Sequence, residues 1–240
     1  MAIALRYAAR THLGLGPKGR NEDSGYAGPH LLVLADGMGG HAAGDVASSM
    51  IVGALAPLDD EGLSGEAALR VLGEELREAN AQLRQAMQED PDLGGMGSTT
   101  IAMLRAGSKL VTAHIGDSRA YLLREGQLTQ VSNDHSLVGE MVRSGALARD
   151  AARSSPYRNV ITRAVGTEDR VVCDTAVFDR VPGDRWLLCS DGLSEHLDAR
   201  SILDCLMMND LETSADRMVV GALEAGGRDN ITLILLEVPR

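Results

Sequence analysis

Aromatic residues are nearly missing from this chain: one Phe, one Trp and four Tyr in 240 residues. A protein that reads single-stranded nucleic acid stacks bases on aromatic rings, so that class is excluded, and the core must be aliphatic. Cysteine is also sparse. Cys173, Cys189 and Cys205 are odd in number, far apart and set among apolar residues. They form neither a disulfide frame nor a zinc site and read as reduced core thiols of a cytoplasmic protein. Basic charge is outnumbered, 23 Lys and Arg against 34 Asp and Glu, for a net −11. No basic footprint for nucleic acid is available, whereas a cation or a basic partner suits the balance. No apolar run approaches the roughly eighteen residues of a membrane span. No charged-then-apolar leader opens the sequence. The length fits one large or two small domains with a full core, and the chain is read as a single catalytic domain over 1–240.

What is present is a recurring junction of aliphatic run and carboxylate. Leu31-Leu32-Val33-Leu34-Ala35 runs into Asp36-Gly37-Met38-Gly39-Gly40-His41. The run reads as a strand buried on both faces, stopping at Asp36, and the glycines let backbone approach a ligand closely. Trp186–Ser190 likewise leads to Asp191-Gly192, and Leu110–Ile115 to Gly116-Asp117-Ser118. Asp229-Asn230 opens onto the apolar run 231–236. If the last strand is antiparallel to the other three, the four carboxylates meet at one end of a sheet assembly. Two like charges 4 Å apart repel by about 4 kcal/mol at an effective dielectric near 20. Such a cluster calls for divalent cations, and oxygen-only donors select Mg2+ or Mn2+. Paired ions of that type activate water for attack on phosphorus.

Along the chain, 3–13 reads as a first strand. The loop 14–23 puts Lys18 and Arg20 just ahead of Glu22 and Asp23, a phosphate-catching cation beside an acid pair; its glycine spacing is not that of a P-loop. A short strand at 24–27 leads to the strand ending at Asp36. A helix over 42–56 carries Val46, Met50 and Ala54 at four-residue spacing on a small-residue face and is ended by Pro57. Ser64 caps a long helix whose Leu69, Leu72, Leu76, Ala79, Leu83 and Met87 repeat at helical spacing. Strand segments at 98–105, 109–115, 120–124 and 127–131, divided by tight turns, read as an antiparallel meander. A helix at 137–144 and a charged, Pro-broken stretch at 146–159 form a mobile flap subdomain around 136–160. Strands at 171–178 and 184–190 follow, then helices near 198–208 and 213–225. Asp198 and Thr213 or Ser214 are their caps, and Gly226-Gly227 closes the second. The last strand is 231–238.

Five ordered motifs carry a resemblance. Asp36 to His41, Gly97-Ser98-Thr99-Thr100, Gly116-Asp117-Ser118-Arg119, Ser190-Asp191-Gly192 and Asp229-Asn230 together resemble the metal-dependent PPM family of Ser/Thr protein phosphatases (protein phosphatase type 2C). The Met-Gly-Gly-His form is similar to the bacterial branch. The resemblance spans about residues 5–237. It implies an α+β fold, a four-layer α–β–β–α sandwich with two central antiparallel sheets flanked by helix pairs. It implies two Mn2+ or Mg2+ ions bridged by Asp36, with the Gly37 carbonyl on one and Asp191 and Asp229 on the other. A third, weaker ion would sit on Asp117 and Asp191, and Glu22 and Asp23 would order waters. Asp36, Asp191 and Asp229 would be catalytic through the metals. The implied reaction is hydrolysis of phosphoserine and phosphothreonine by activated water, opposing bacterial Ser/Thr kinases. The implied protein is a cytoplasmic monomer whose partners are phosphoproteins and those kinases, not nucleic acid or membrane.

Two departures stand out. Where the family places a phosphate-binding Arg, this loop is one residue longer and aligns Lys18, with Arg20 nearby; a Lys offers a point charge without bidentate geometry. The slot after Asp-Gly that carries His in many eukaryotic members is Met38. His41 lies close, as a proton donor or as a structural residue. A phosphatase-like binding module and a phosphatase for small molecules are the rival readings.

Overall fold

The computed structural model describes residues 5–39, 43–59, 63–152 and 154–240. Gly40 and His41 of the first motif lie outside the described residues, as do 60–62 of the expected loop. The aliphatic runs become strands and the helical stripes become helices, in two repeats of sheet plus helix layer. β1 (Arg6–His12), β11 (Ile231–Glu237), β10 (Arg185–Cys189), β7 (Arg119–Arg124) and β8 (Gln127–Gln130) form one antiparallel sheet in that order. The other runs β2 (Asp23–Ala27), β3 (Leu31–Met38), β5 (Thr100–Ala106), β6 (Lys109–Ile115) and β9 (Asp174–Asp179), with the short β4 (Gly97–Ser98) on β3.

Three apolar layers hold the stack. Leu34, Ile101, Met103, Leu122, Trp186 and Leu188 fill the space between the sheets. Beneath the β3 sheet lie α1 (Ala43–Leu55) and α2 (Gly65–Glu89), whose Ile51, Leu72, Leu76 and Leu83 have no exposed surface. Over the β11 sheet lie α6 (Ala199–Leu206) and α7 (Leu211–Glu224), anchored by Leu206, Ala215 and Met218. This is the α–β–β–α sandwich. α2 starts where the sequence marks it: Ser64 Oγ accepts from the Ala67 amide.

Several expectations are corrected. The strand does not stop at Asp36; β3 runs on to Met38 because Gly37 and Met38 pair with Ser98 and Gly97. The segments at 98–131 are not one meander. β5 pairs β6 and β7 pairs β8, but β6 and β7 belong to different sheets. The chain crosses between the sheets at Gly116-Asp117-Ser118, with Gly116 at φ +105°. α7 is capped by Asp210, whose carboxylate accepts from the Thr213 amide, not by Thr213 or Ser214. Asp198 does cap α6 through the Ser201 amide. β9 begins at Asp174, later than expected. Cys189 is buried, whereas Cys173 and Cys205 are half-buried. Two short helices went unpredicted, α4 (Arg149–Ala152) and α5 (Asp191–Ser194), while α3 (Leu137–Arg143) matches its expectation.

Candidate metal centre

The two sheets bring their acid-bearing corners together at one end of the sandwich. Asp36 is held within β3 by backbone and hydroxyl contacts from the 97–100 motif. The Thr99 amide donates to the Asp36 carbonyl at 2.9 Å, and Ser98 Oγ donates to the same carbonyl at 2.9 Å. The Asp36 amide donates to Thr99 Oγ1, which also meets Ser118 Oγ at 2.7 Å. One hydroxyl therefore ties the Asp36 strand to the corner of Asp117. Asp23 pairs directly opposite Asp36 in the β2–β3 register. It accepts from Ser190 Oγ at 2.9 Å, which links it to the neighbour of Asp191 in the other sheet.

Close backbone approach explains the glycines better than turn chemistry does. A Cβ on Gly37 would sit 1.9 Å from the Gly44 carbonyl oxygen, and one on Gly192 2.0 Å from that of Asn230. Gly14 and Gly16 press the first loop on residues 227–229 in the same way, with Leu15 donating to the Gly227 carbonyl at 2.7 Å. Asn230 clamps this junction. Its Oδ1 accepts from the Glu22 amide at 2.8 Å and its Nδ2 donates to the Leu13 carbonyl at 2.9 Å. That role, and those of Ser98, Thr99 and Ser190, were not assigned from sequence, although each residue stands inside a motif.

The electrostatics are those of crowded acids. Burial drives the Asp36 carboxyl well above its ordinary range, and Asp23, Asp191, Asp117 and Asp229 push it the same way. Asp191 is raised well above its range by burial, then by Asp117 and Asp229. Burial lifts both Asp23 and Asp117 to about 6. The four sequence-predicted aspartates and Asp23 thus form one electrostatic unit. Glu22 stands at its rim, its side chain against Gly44 and paired with Lys18.

The two candidate cations part ways. Lys18 Nζ lies 2.5 Å from Asp229 Oδ1 and 3.1 Å from Glu22 Oε2. Burial lowers the pKa of its ammonium, but the contacts with Asp229 and Glu22 outweigh this and raise it. Arg20 turns away to Asp45 at the start of α1, at 3.1 Å.

The donor set fits hard divalent cations. Asp23 Oδ1, Asp117 Oδ1 and Asp191 Oδ1 are each buried without a hydrogen-bond partner among the described residues. Buried acceptors left unpaired call for an ion or water, and all the donors are oxygen. Among the described residues, no group of three or more acidic, His or Cys side chains is arranged so that it could hold a metal ion as it stands.

Residues 21–224 match the family model described as protein phosphatase 2C. The chain is 44% identical over 238 residues, 99% of its length, to the serine/threonine protein phosphatase PstP of Mycobacterium tuberculosis, and spans 46% of that relative. It is 40% identical over 211 residues to the serine/threonine phosphatase stp of Listeria welshimeri, covering 86% of this chain and 84% of that one. A crystal structure of the PstP catalytic domain in complex with two manganese ions superposes with a TM-score of 0.92 at 43% identity, covering 99% of each chain.

Proposed function

The chain belongs to the protein phosphatase 2C family, and from that premise we propose that it is a Mn2+- or Mg2+-dependent protein Ser/Thr phosphatase. The observation that carries the reading is the group of mutually repelling aspartates at the meeting of the two sheets, three of them with an unpaired buried oxygen. Asp36, Asp191 and Asp229, with the Gly37 carbonyl, would hold two ions, and Asp117 with Asp191 a third. When bound, such ions supply activation of water and neutralisation of phosphoryl charge.

The chain's own residues do the rest. Thr99, Ser98 and the β2 pairing fix Asp36 on both sides, so its carboxylate needs little reorganisation. Glu22 and Asp23 offer acceptor oxygens that orient water. Lys18, paired with Asp229 and Glu22 at the acid cluster, would meet phosphoryl oxygens in preference to Arg20, which pairs with Asp45. Hydrolysis exchanges the phosphorus–ester oxygen bond for one to the water oxygen and releases the Ser or Thr hydroxyl with inorganic phosphate.

Residues 136–160 are proposed as the flap that meets the substrate protein. The segment leaves the Asp117 corner, where the His135 amide donates to the Gly116 carbonyl at 2.8 Å. It reaches α5, where Arg158 lies 3.8 Å from Glu195. The substrates are phosphoproteins, the opposing enzymes are Ser/Thr kinases, and the domain works as a cytoplasmic monomer. Among the described residues no helix is long and apolar enough to cross a membrane.

The test is hydrolysis of a phosphothreonine peptide and of p-nitrophenyl phosphate with and without Mn2+, beside calorimetric Mn2+ binding. Asp36→Ala and Asp191→Ala are expected to abolish turnover and weaken Mn2+ binding while circular dichroism is unchanged. Full metal-supported turnover in either variant would refute the site.

A further inference from the structure

Two leucines stand in solvent beside the acid cluster. Leu15 is 64% exposed and Leu13 40%. The loop that carries them is tied to residues 227–230 along its length. The Leu15 amide donates to the Gly227 carbonyl at 2.7 Å, and the Leu13 carbonyl accepts from Asn230 Nδ2 at 2.9 Å. On either side of Leu15 the backbones touch: a Cβ on Gly14 would lie 2.0 Å from the Asp229 carbonyl oxygen, and one on Gly16 1.8 Å from that of Arg228. Three residues further on, Lys18 Nζ meets Asp229 Oδ1 at 2.5 Å.

An exposed leucine is ordinary by itself. What sets Leu15 apart is where it is fixed. The Gly14 contact and the roughly 3.8 Å between consecutive Cα atoms put the Leu15 Cα within about 8 Å of the Asp229 carbonyl oxygen. An extended polypeptide advances about 3.3–3.6 Å per residue. With a phosphoryl group at the aspartate cluster, the side chains within two residues of the phosphorylated one come within reach of this loop.

The chemistry of the contact follows from what the loop offers there. The Lys18 ammonium is engaged by Asp229 and Glu22, and the two leucines present only C–H groups. A polar side chain laid against them would lose water and gain no hydrogen bond, whereas an apolar one gains by burial. The loop is held before any substrate arrives, so little ordering is needed to make the contact.

We propose that Leu15, assisted by Leu13, is a specificity-determining residue, which receives an apolar side chain of the substrate protein within two residues of its phosphothreonine or phosphoserine. The proposal rests on the phosphatase reading above, and its test tells the two apart.

The test uses the Mn2+-loaded protein and phosphothreonine peptides of one serine-rich background, with a single Leu at each of the two positions before and the two after the phosphothreonine. At least one Leu peptide is expected to exceed the all-Ser peptide in kcat/KM by about three- to tenfold, with the gain in KM. Leu15→Ser should bring that ratio to about one, and Leu15→Met should keep it. A purely structural role for Leu15 would slow all peptides alike and leave the ratio standing, which overturns the assignment. Fluorescence anisotropy with the same peptides carrying a non-hydrolysable phosphonate reads the ratio as dissociation constants, without turnover. A Leu preference in binding that Leu15→Ser removes, in a chain that hydrolyses neither the peptides nor p-nitrophenyl phosphate, overturns the phosphatase reading and leaves the role of Leu15 standing. Turnover with no Leu preference, or with one that survives Leu15→Ser, does the reverse.

Discussion

Lys18 stands where the resemblance to the family implies an arginine, and its ammonium bridges Asp229 and Glu22. A point charge can serve phosphate without the two-pronged geometry of a guanidinium. A charge-assisted hydrogen bond contributes about 1.5–3 kcal/mol. Lys18→Met is therefore expected to lower kcat/KM for a phosphopeptide by about ten- to a hundredfold. Arg20→Met should change it by less than about threefold, because an exposed pair with Asp45 contributes little. Steady-state kinetics on the two variants checks both. Sequence spacing left the two cations equivalent, since both sit within five residues of the acid pair. Only the fold of the loop, pressed on residues 227–229 and clamped by Asn230, turns one inward and the other outward.

His114 carries a second residue-scale prediction. Burial lowers its pKa to about 4, so the folded protein holds fewer protons there than the unfolded chain between about 4 and 6.5. Its contribution to stability is thus complete above pH 6.5 and lost as the pH falls toward 4. NMR of the ring carbon should show titration well below that of an unperturbed imidazole. A midpoint near 6.5 would contradict the buried neutral ring.

Among the elements, the crossing at Gly116-Asp117-Ser118 is the one that sequence reasoning located but misread. Alternating apolar strands with tight turns look alike whether neighbours pair or part. The residues that decide the matter are Gly116 and Thr99. Gly116 lies at φ +105°, where a Cβ would sit 2.5 Å from the Thr99 Cβ. Gly116→Ala therefore meets both backbone strain and a clash. It should destabilise the fold by about 2–4 kcal/mol, read as a fall in the denaturant midpoint at constant slope. By contrast most of the α2 stripe was legible, since Leu72, Leu76, Ala79 and Leu83 are buried and Leu69 and Met87 half-buried; in α1 the expected face of Val46, Met50 and Ala54 is only half-buried, and Ala43, Ala47, Ile51 and Leu55 face the core instead. The cap of α7 was misplaced because Asp210, Thr213 and Ser214 are all good caps, and only backbone geometry picks the first.

At the scale of the whole molecule, the four-layer fold class came from the resemblance that the five motifs carry, not from the strand and helix patterns, which supplied only the elements; the meeting of the acids was inferred from their places at strand ends. What sequence did not hold was the second partner of each contact: the hydroxyls of Ser98, Thr99 and Ser190 come from elements remote in the chain. The same cluster makes stability depend on pH and metal. Asp23 and Asp117 are raised to about 6, and Asp36 and Asp191 stand well above the ordinary carboxylate range. A carboxyl with a raised folded pKa stabilises below its unfolded value near 4, and loses that contribution as the pH climbs through the folded value. The metal-free protein is thus expected to lose thermal stability through these groups as the pH rises from about 4 through about 6. Mn2+ should raise the midpoint more at pH 7.5 than at 5.5. Calorimetry in chelator and in Mn2+ at both values checks this, and an equal metal effect at the two would contradict it.

Trp186 is the chain's one tryptophan, with no exposed surface, set edge-on to Phe178 at 5.0 Å in the layer shared by both sheets. The molecule therefore comes with an intrinsic optical gauge at its midplane. Blue emission from that indole reports that the halves remain closed, and a red shift marks their parting. Events confined to the outer helices leave it silent, so fluorescence and far-ultraviolet dichroism, followed together, separate loss of a helix layer from opening of the sandwich.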